Sequence, residues 1–201
     1  MSSYGAARDT GEAVEAKVVR LLHGRTLVMV GMMGAGKSSI GRRLAGRLGM
    51  AFVDADSEIE QAANASIPEI FERHGEAYFR DGERRVIQRL LDGTPKVLAT
   101  GGGAYMQAET RAAIKAAGIS VWLKADRELL LSRVKRRVGG RPMLAQGEPG
   151  EIIDKLIAER YPVYADADIH VQSRDVAHEA VIDDILAALI DHLEREAVEK
   201  V

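Results

Sequence analysis

An apolar run, Leu27-Val28-Met29-Val30, leads straight into Gly31-Met32-Met33-Gly34-Ala35-Gly36-Lys37-Ser38. The order G-x-x-x-x-G-K-[ST], with a strand before it and a helix after it, is that of a phosphate cradle. Its glycines let successive backbone N–H groups turn toward phosphate oxygens. Lys37 adds a point charge beside the transferred group, and the Ser38 hydroxyl can ligate Mg²⁺. Gly34, Ala35, Gly36, Lys37, Ser38 and Ser39 are therefore candidate nucleotide-binding residues, while Met32 and Met33 read as loop filler. The plain alternative is a glycine-rich turn that binds nothing, and the strand-to-helix context argues against it. A cradle alone leaves ATPase, GTPase, switch and kinase chemistry open.

The next apolar run closes on two carboxylates, Phe52-Val53-Asp54-Ala55-Asp56. In extended chain, residues i and i+2 share a side, so both would sit at the C-terminal edge of a sheet, where α/β proteins bind ligands. One can face a metal and the other an acceptor hydroxyl. Asp56 also precedes Ser57-Glu58-Ile59-Glu60 and can cap a helix, a role compatible with catalysis. A third run ends in Thr100-Gly101-Gly102-Gly103, where missing side chains would let a ligand lie on the backbone, although a plain turn accounts for it equally well. By residue type alone, Arg80 and Arg160 read as surface charges and Phe71 and Phe79 as core. The five histidines, at 23, 74, 170, 178 and 192, lack metal-ligand spacing and receive no role.

These groups need a scaffold, and the hydrophobic pattern supplies one. Leu27–Val30, Phe52–Val53, Val97–Ala99, Val121–Leu123 and Ile169–Val171 read as strands separated by longer amphipathic stretches. That alternation implies an α/β chain with a parallel sheet and helices on both faces. Ser66-Ile67-Pro68-Glu69 fits a capping box, and Asp126 and Asp175 can cap the helices after them. Val14, Val18, Val19 and Leu22 at helical spacing make residues 1–24 an N-terminal extension with its own helix. One domain over 25–190 follows, with a tail at 191–201. Two stretches look detachable from its core: a helical pair from about Ser57 to Leu91, and Val138 to Gly150, whose glycines and prolines read as a lid.

A chain of 201 residues, 46% hydrophobic, can bury one core. With 28 basic against 30 acidic residues, nothing in the net charge draws it to nucleic acid or an anionic membrane. The expected partner is a small molecule. The absence of cysteine rules out disulfides and thiolate metal sites. No apolar run reaches the ~18 residues of a membrane span, and the N-terminus lacks the order of a secretory signal. A cytoplasmic monomer is the expectation.

Taken together, GMMGAGKS, FVDADSEIE, SIPEIFERHGEAYFRDGE, ATGGGA, RPML and AERYPVY resemble the shikimate kinase family, in its order and spacing, from Thr26 to about Leu186. The N-terminal extension and Met143, where the family usually has leucine after Arg-Pro, depart from it without touching the expected chemistry. The resemblance implies a P-loop NTPase fold of the nucleoside-monophosphate-kinase type, with a central five-stranded parallel sheet. It also implies transfer of the ATP γ-phosphoryl group to the 3-hydroxyl of shikimate, a step toward chorismate and the aromatic amino acids, with Mg²⁺. Arg80 and Arg160 match its carboxylate-binding arginines, Phe71 and Phe79 become walls beside the substrate ring, and Gly101, Gly102 and Gly103 match its substrate loop. Asp56 matches the residue at the acceptor hydroxyls and Asp54 the one near the metal, with Ser38. Lys37, Asp56 and Arg141 would be catalytic, Arg141 closing over the phosphates. Arg174, with Asp175, would stand beside the adenine, and either Arg133 or Arg137 would stack on it. Glu83 would orient Arg80. The competing readings are a related small-molecule kinase, such as one for gluconate, and a nucleotide-binding module without catalysis.

Overall fold

Each of the five short apolar runs becomes a strand of one sheet. In a computed structural model, which describes residues 13–136 and 148–199, the chain begins with α1 (Val14–Leu22), β1 (Thr26–Val30), α2 (Lys37–Leu48), β2 (Ala51–Asp54), α3 (Ala55–Ala63) and α4 (Ile67–Leu90). It continues with β3 (Lys96–Ala99), a 3₁₀ turn (Ala104–Met106), α5 (Ala108–Ala117), β4 (Gly118–Ala125) and α6 (Arg127–Arg136). Last come α7 (Pro149–Tyr164), β5 (Ile169–Ser173) and α8 (His178–Glu199). All neighbouring strands are parallel, in the order β2-β3-β1-β4-β5. The central strands are covered on both faces, which is why they read as unbroken apolar runs, whereas the edge strand β5 alternates buried and more exposed residues. Register levels the functional ends: Ala99 pairs with Met29 on one side and with Asp54 on the other. The turns after β1, β2 and β3 therefore open at one height.

The insertion between β2 and β3 is a helical pair with a satellite core of Ile59, Ile70 and Phe79. Ser66 and Glu69 form the expected capping box at the start of α4. Gly75, at φ 78°, breaks α4 into two helical segments, a break the helical periodicity conceals. The pair starts earlier than its sequence suggests. α3 opens at Ala55 rather than Ser57, and its cap is Asp54, whose side chain accepts from the Asp56 amide. Capping therefore falls to Asp54, and Asp56 lies in the first helical turn, not in extended chain. Asp175 likewise caps nothing directly, because α8 begins at His178, beyond the reach of a one-residue cap.

α1 buries Val18 and Leu22 in the main core and packs on α2 and α8. Arg47 of α2 joins Glu15 of α1 to Asp183 of α8, and Lys17 meets Glu194 at 2.6 Å. Of the expected lid, Pro149 and Gly150 belong to the first turn of α7, where proline's missing N–H costs nothing. Arg137, Arg141 and Met143 lie outside the described residues. Among the described residues, no helix is long and apolar enough to cross a membrane.

Candidate active site

The cradle is a six-residue turn from β1 into α2. Gly31 holds φ 136°, and a Cβ there would lie 2.7 Å from the Leu123 carbonyl oxygen, so only glycine fits. Gly36 caps α2 at φ 101° without any side-chain bond, leaving the first-turn amides of a 12-residue helix for an anion. Lys37 folds over the turn and donates to the carbonyls of Gly31 at 2.8 Å and Met32 at 2.9 Å. Gly34, Gly36, Lys37, Ser38 and Ser39 line one end of a cleft of about 650 Å³. Ala35 contributes backbone only: its side chain is in the core, and its carbonyl accepts from Ser173 Oγ at 2.8 Å.

Arg133 holds the outer side of this turn. Its Nη1 donates to the Gly34 and Ala35 carbonyls at 3.2 and 3.3 Å, and its Nη2 donates to the Arg174 carbonyl at 2.9 Å. The Arg174 side chain turns instead to Asp184 on α8, an ion pair that sequence spacing does not reveal. What lines the cleft there is Asp175, Val176 and His178, together with Arg136 from α6. His178 was given no role by sequence, because nothing in its neighbourhood marks it as more than the start of a helix.

Asp54 and Asp56 do divide, but through a turn rather than a strand edge. Asp54 Oδ2 accepts from the Ser38 hydroxyl at 2.7 Å, while Oδ1 accepts from the Asp56 amide at 3.1 Å. Ser38 and Asp54 thus present adjoining hard oxygen donors at the phosphate end. That pair suits a cation that takes most of its shell from phosphate and water, and it is too few for an all-protein cage. Among the described residues, no cluster of three or more His, Asp or Glu forms such a cage.

At the other end the triple glycine meets four charged groups. A Cβ on Gly101 would stand 2.7 Å from Glu83 Oε1 and 2.9 Å from Asp56 Oδ1. One on Gly102 would stand 3.1 Å from Arg160 Nη1, and one on Gly103 would meet the Arg80 guanidinium at 2.5–2.6 Å. None of the three has the left-handed φ that favours glycine, so they are required by close approach. The space that the sequence assigned to a ligand is first taken by the protein's own charges. Arg80 Nη1 donates to Glu83 Oε2 at 2.7 Å, and Arg80 Nη2 donates to Glu76 at 3.2 Å. Gln107 braces the same pair, donating to Glu83 Oε2 and to the Arg80 carbonyl, both at 3.3 Å.

Glu83 is fully buried. Burial pushes its carboxyl above the ordinary glutamate value, outweighing the pull of Arg80, and the nearby charge of Asp56 adds to the rise. Arg160, on α7, is 6% exposed and also feels Glu83. Phe71 and Phe79 stack with centroids 4.6 Å apart and form the side wall. Glu60, Ile67, Pro68 and Thr100 complete the lining. The cleft thus joins an anion cradle to a small chamber with two guanidinium groups, an aspartate and aromatic walls.

A family model for shikimate kinase matches residues 33–190. A shikimate kinase of Rhodopseudomonas palustris is 59% identical over 179 residues, 89% of this chain and 88% of that protein. One from Bradyrhizobium diazoefficiens is 55% identical over 94% of this chain and 90% of its own. Among solved structures, the shikimate kinase from Acinetobacter baumannii in complex with shikimate superposes with a TM-score of 0.81 at 37% identity, covering 87% of this chain and 97% of that one. The five-stranded parallel sheet is accordingly that of a P-loop, nucleoside-monophosphate-kinase-like fold. With a family model matched over residues 33–190 and relatives of this identity and coverage, the chain belongs to the shikimate kinase family.

Proposed function

We propose that the two ends of the cleft bring the γ-phosphoryl group of ATP to the 3-hydroxyl of shikimate, giving shikimate 3-phosphate and ADP. The phosphates rest on the cradle and the first-turn amides of α2, where Lys37 exchanges the Gly31 and Met32 carbonyls for phosphate oxygens. Arg133, bonded to the cradle, is favoured over Arg137 as the arginine on the adenine side, with Asp175 and Val176 near it. A Mg²⁺ ion held by Ser38 and, through water, by Asp54 would offset phosphate charge. Arg141 retains the role its place in RPML implies, a cation over the transferred group.

Arg80 and Arg160 clamp the shikimate carboxylate, each guanidinium presenting a planar fork of donors. Phe71 and Phe79 confine the ring. Asp56 orients the acceptor hydroxyl and takes its proton as the bond to phosphorus forms; little prior deprotonation is needed, because phosphoryl transfer has a loose transition state. One observation carries this reading. Asp56, Arg160 and Arg80 converge on the successive residues Gly101, Gly102 and Gly103, at the same height as the cradle. ATP as donor supports a cytoplasmic setting.

The deciding assay is ADP release from MgATP with shikimate, with gluconate and with no acceptor. Release is expected with shikimate alone. Equal rates with gluconate, or release without any acceptor, would overturn the assignment.

A further inference from the structure

The carbonyls of the glycine loop are not all held by the loop itself. Gly101 O accepts from the Ala104 amide at 3.2 Å, and Gly103 O accepts from the Met106 amide at 3.1 Å, both in the 3₁₀ turn. Gly102 O accepts from the hydroxyl of Tyr164, four residues after Arg160 and on the same face of α7. That hydroxyl also meets the Arg160 guanidinium. The tyrosine is fully buried, and its ring packs against Trp122, Tyr161 and Tyr105, with centroids 5.8, 6.2 and 6.4 Å away. Burial pushes its phenol up to about 12, so it stays protonated, and a donor, at neutral pH.

We propose that Tyr164 is a positioning residue for the acceptor, its hydroxyl fixing both the Gly102–Gly103 peptide and the Arg160 guanidinium in the aspect they present to shikimate. Three consecutive glycines have the widest choice of backbone conformation, so the peptide between two of them needs an external anchor. In a trans peptide the C=O and N–H point opposite ways. Drawing Gly102 O toward the aromatic core therefore turns the Gly103 N–H away from it, on the side of the loop that lines the cleft. The same hydroxyl oxygen sets Arg160 over the Gly102 α-carbon. A single phenol thus ties two candidate shikimate-binding elements to one rigid aromatic cluster. This rests on the loop and Arg160 facing shikimate.

The test is Tyr164→Phe, which removes one oxygen and keeps the ring, beside Tyr161→Phe. Tyr161 belongs to the same cluster and donates to the Ala125 carbonyl, away from the loop. KM for shikimate and for ATP and the melting temperature are measured for parent and both variants. Tyr164→Phe is expected to raise the shikimate KM about tenfold and leave the ATP KM within twofold, a ratio independent of the fraction folded. Tyr161→Phe is expected to lower the melting temperature without changing either KM. If Tyr164→Phe lowers only the melting temperature, or raises both KM values alike, the positioning role is overturned. A parent that phosphorylates shikimate while Arg160→Ala leaves its shikimate KM unchanged would instead refute the underlying placement of shikimate.

Discussion

The nucleotide end and the acceptor end of the cleft are organised by different chemistry. At the nucleotide end, Lys37 and Arg133 bond to backbone carbonyls of Gly31, Met32, Gly34, Ala35 and Arg174. At the acceptor end, Arg80 bonds to the carboxylates of Glu83 and Glu76, and the glycine loop has no side chains of its own. A carbonyl is present whatever the residue, so the first site is specified by the path of the chain. A carboxylate must be supplied by a particular residue, and α4 supplies both of Arg80's; the second site is therefore specified by which side chains α3, α4 and α7 bring against the glycine loop. The first suits the phosphates common to all nucleotides; the second suits one acid among many.

The largest effect should come from the end where charge accumulates during transfer. Lys37→Met removes the cation proposed to track the migrating group, and turnover should fall on the order of 10³–10⁵-fold with shikimate affinity retained. Initial rates and a shikimate binding isotherm check this. Turnover within about tenfold of the parent would show that the backbone alone organises the nucleotide end.

Next come the aspartates that join the two ends. Asp56→Asn should lower turnover by roughly 10²–10⁴-fold with little change in the Mg²⁺ requirement, since the lost charge is the one proposed to face the acceptor. Asp54→Asn should keep the α3 cap, because asparagine caps as well as aspartate, but raise the Mg²⁺ concentration for half-maximal rate. Mg²⁺ titrations at saturating shikimate distinguish them. The opposite pattern would move the boundary between the two ends to the other side of Ala55.

The acceptor end is sharpened by Arg80→Ala and Arg160→Ala. Each should cost about 2–5 kcal/mol of shikimate binding or transition-state stabilisation and leave ATP affinity unchanged. Calorimetry with each ligand separately reads this directly. Weakened nucleotide binding with intact shikimate binding would reverse the assignment of the ends.

The smallest effect lies in Glu83 and needs no substrate. Burial raises its folded-state carboxyl above the unfolded value of 4.5. Between those two values the folded chain keeps a proton that the unfolded chain has released, so stability falls as pH rises through the window. Glu83→Gln lacks this term. The melting temperature of the parent relative to Glu83→Gln should therefore drop by a few degrees from just above pH 4.5 upward. A difference independent of pH would mean that Arg80 holds the acceptor end as a fully neutralised pair.

The same contrast explains what the sequence disclosed. The cradle, the strands and the capping box at Ser66 are local patterns, set by glycines, by period and by a three-residue spacing, and they are legible in a single stretch. Arg80 and Arg160 stand 80 positions apart, and nothing local to either distinguishes it from a solvated arginine; only the ordered family resemblance singled them out. The start of α3 is ambiguous in sequence because Asp54, Asp56 and Ser57 are all good caps; in the structure Asp54, which also accepts from the adjoining Ser38 hydroxyl, is the cap. The family resemblance places Arg174 beside the adenine, whereas in the structure its side chain pairs with Asp184 on α8. Nothing local to Tyr164 marks a role for it, because the partner of its buried hydroxyl is 62 residues away.

The strand order has a consequence for how the molecule comes into being. β3 is threaded between β1 and β2, both of which are synthesised before it. Until it arrives, those two strands have no hydrogen bonds to each other, and the contact of Thr100 with Met29 closes a stretch of 71 residues. Such long closures are paid in chain entropy before any contact rewards them, so they form slowly compared with helices. On the ribosome, the cradle and the aspartates must wait for the glycine loop to emerge before they can be levelled, with two open strand edges exposed meanwhile to neighbouring chains. A refolding chain is expected to recover its helices first and its ability to bring two substrates together last.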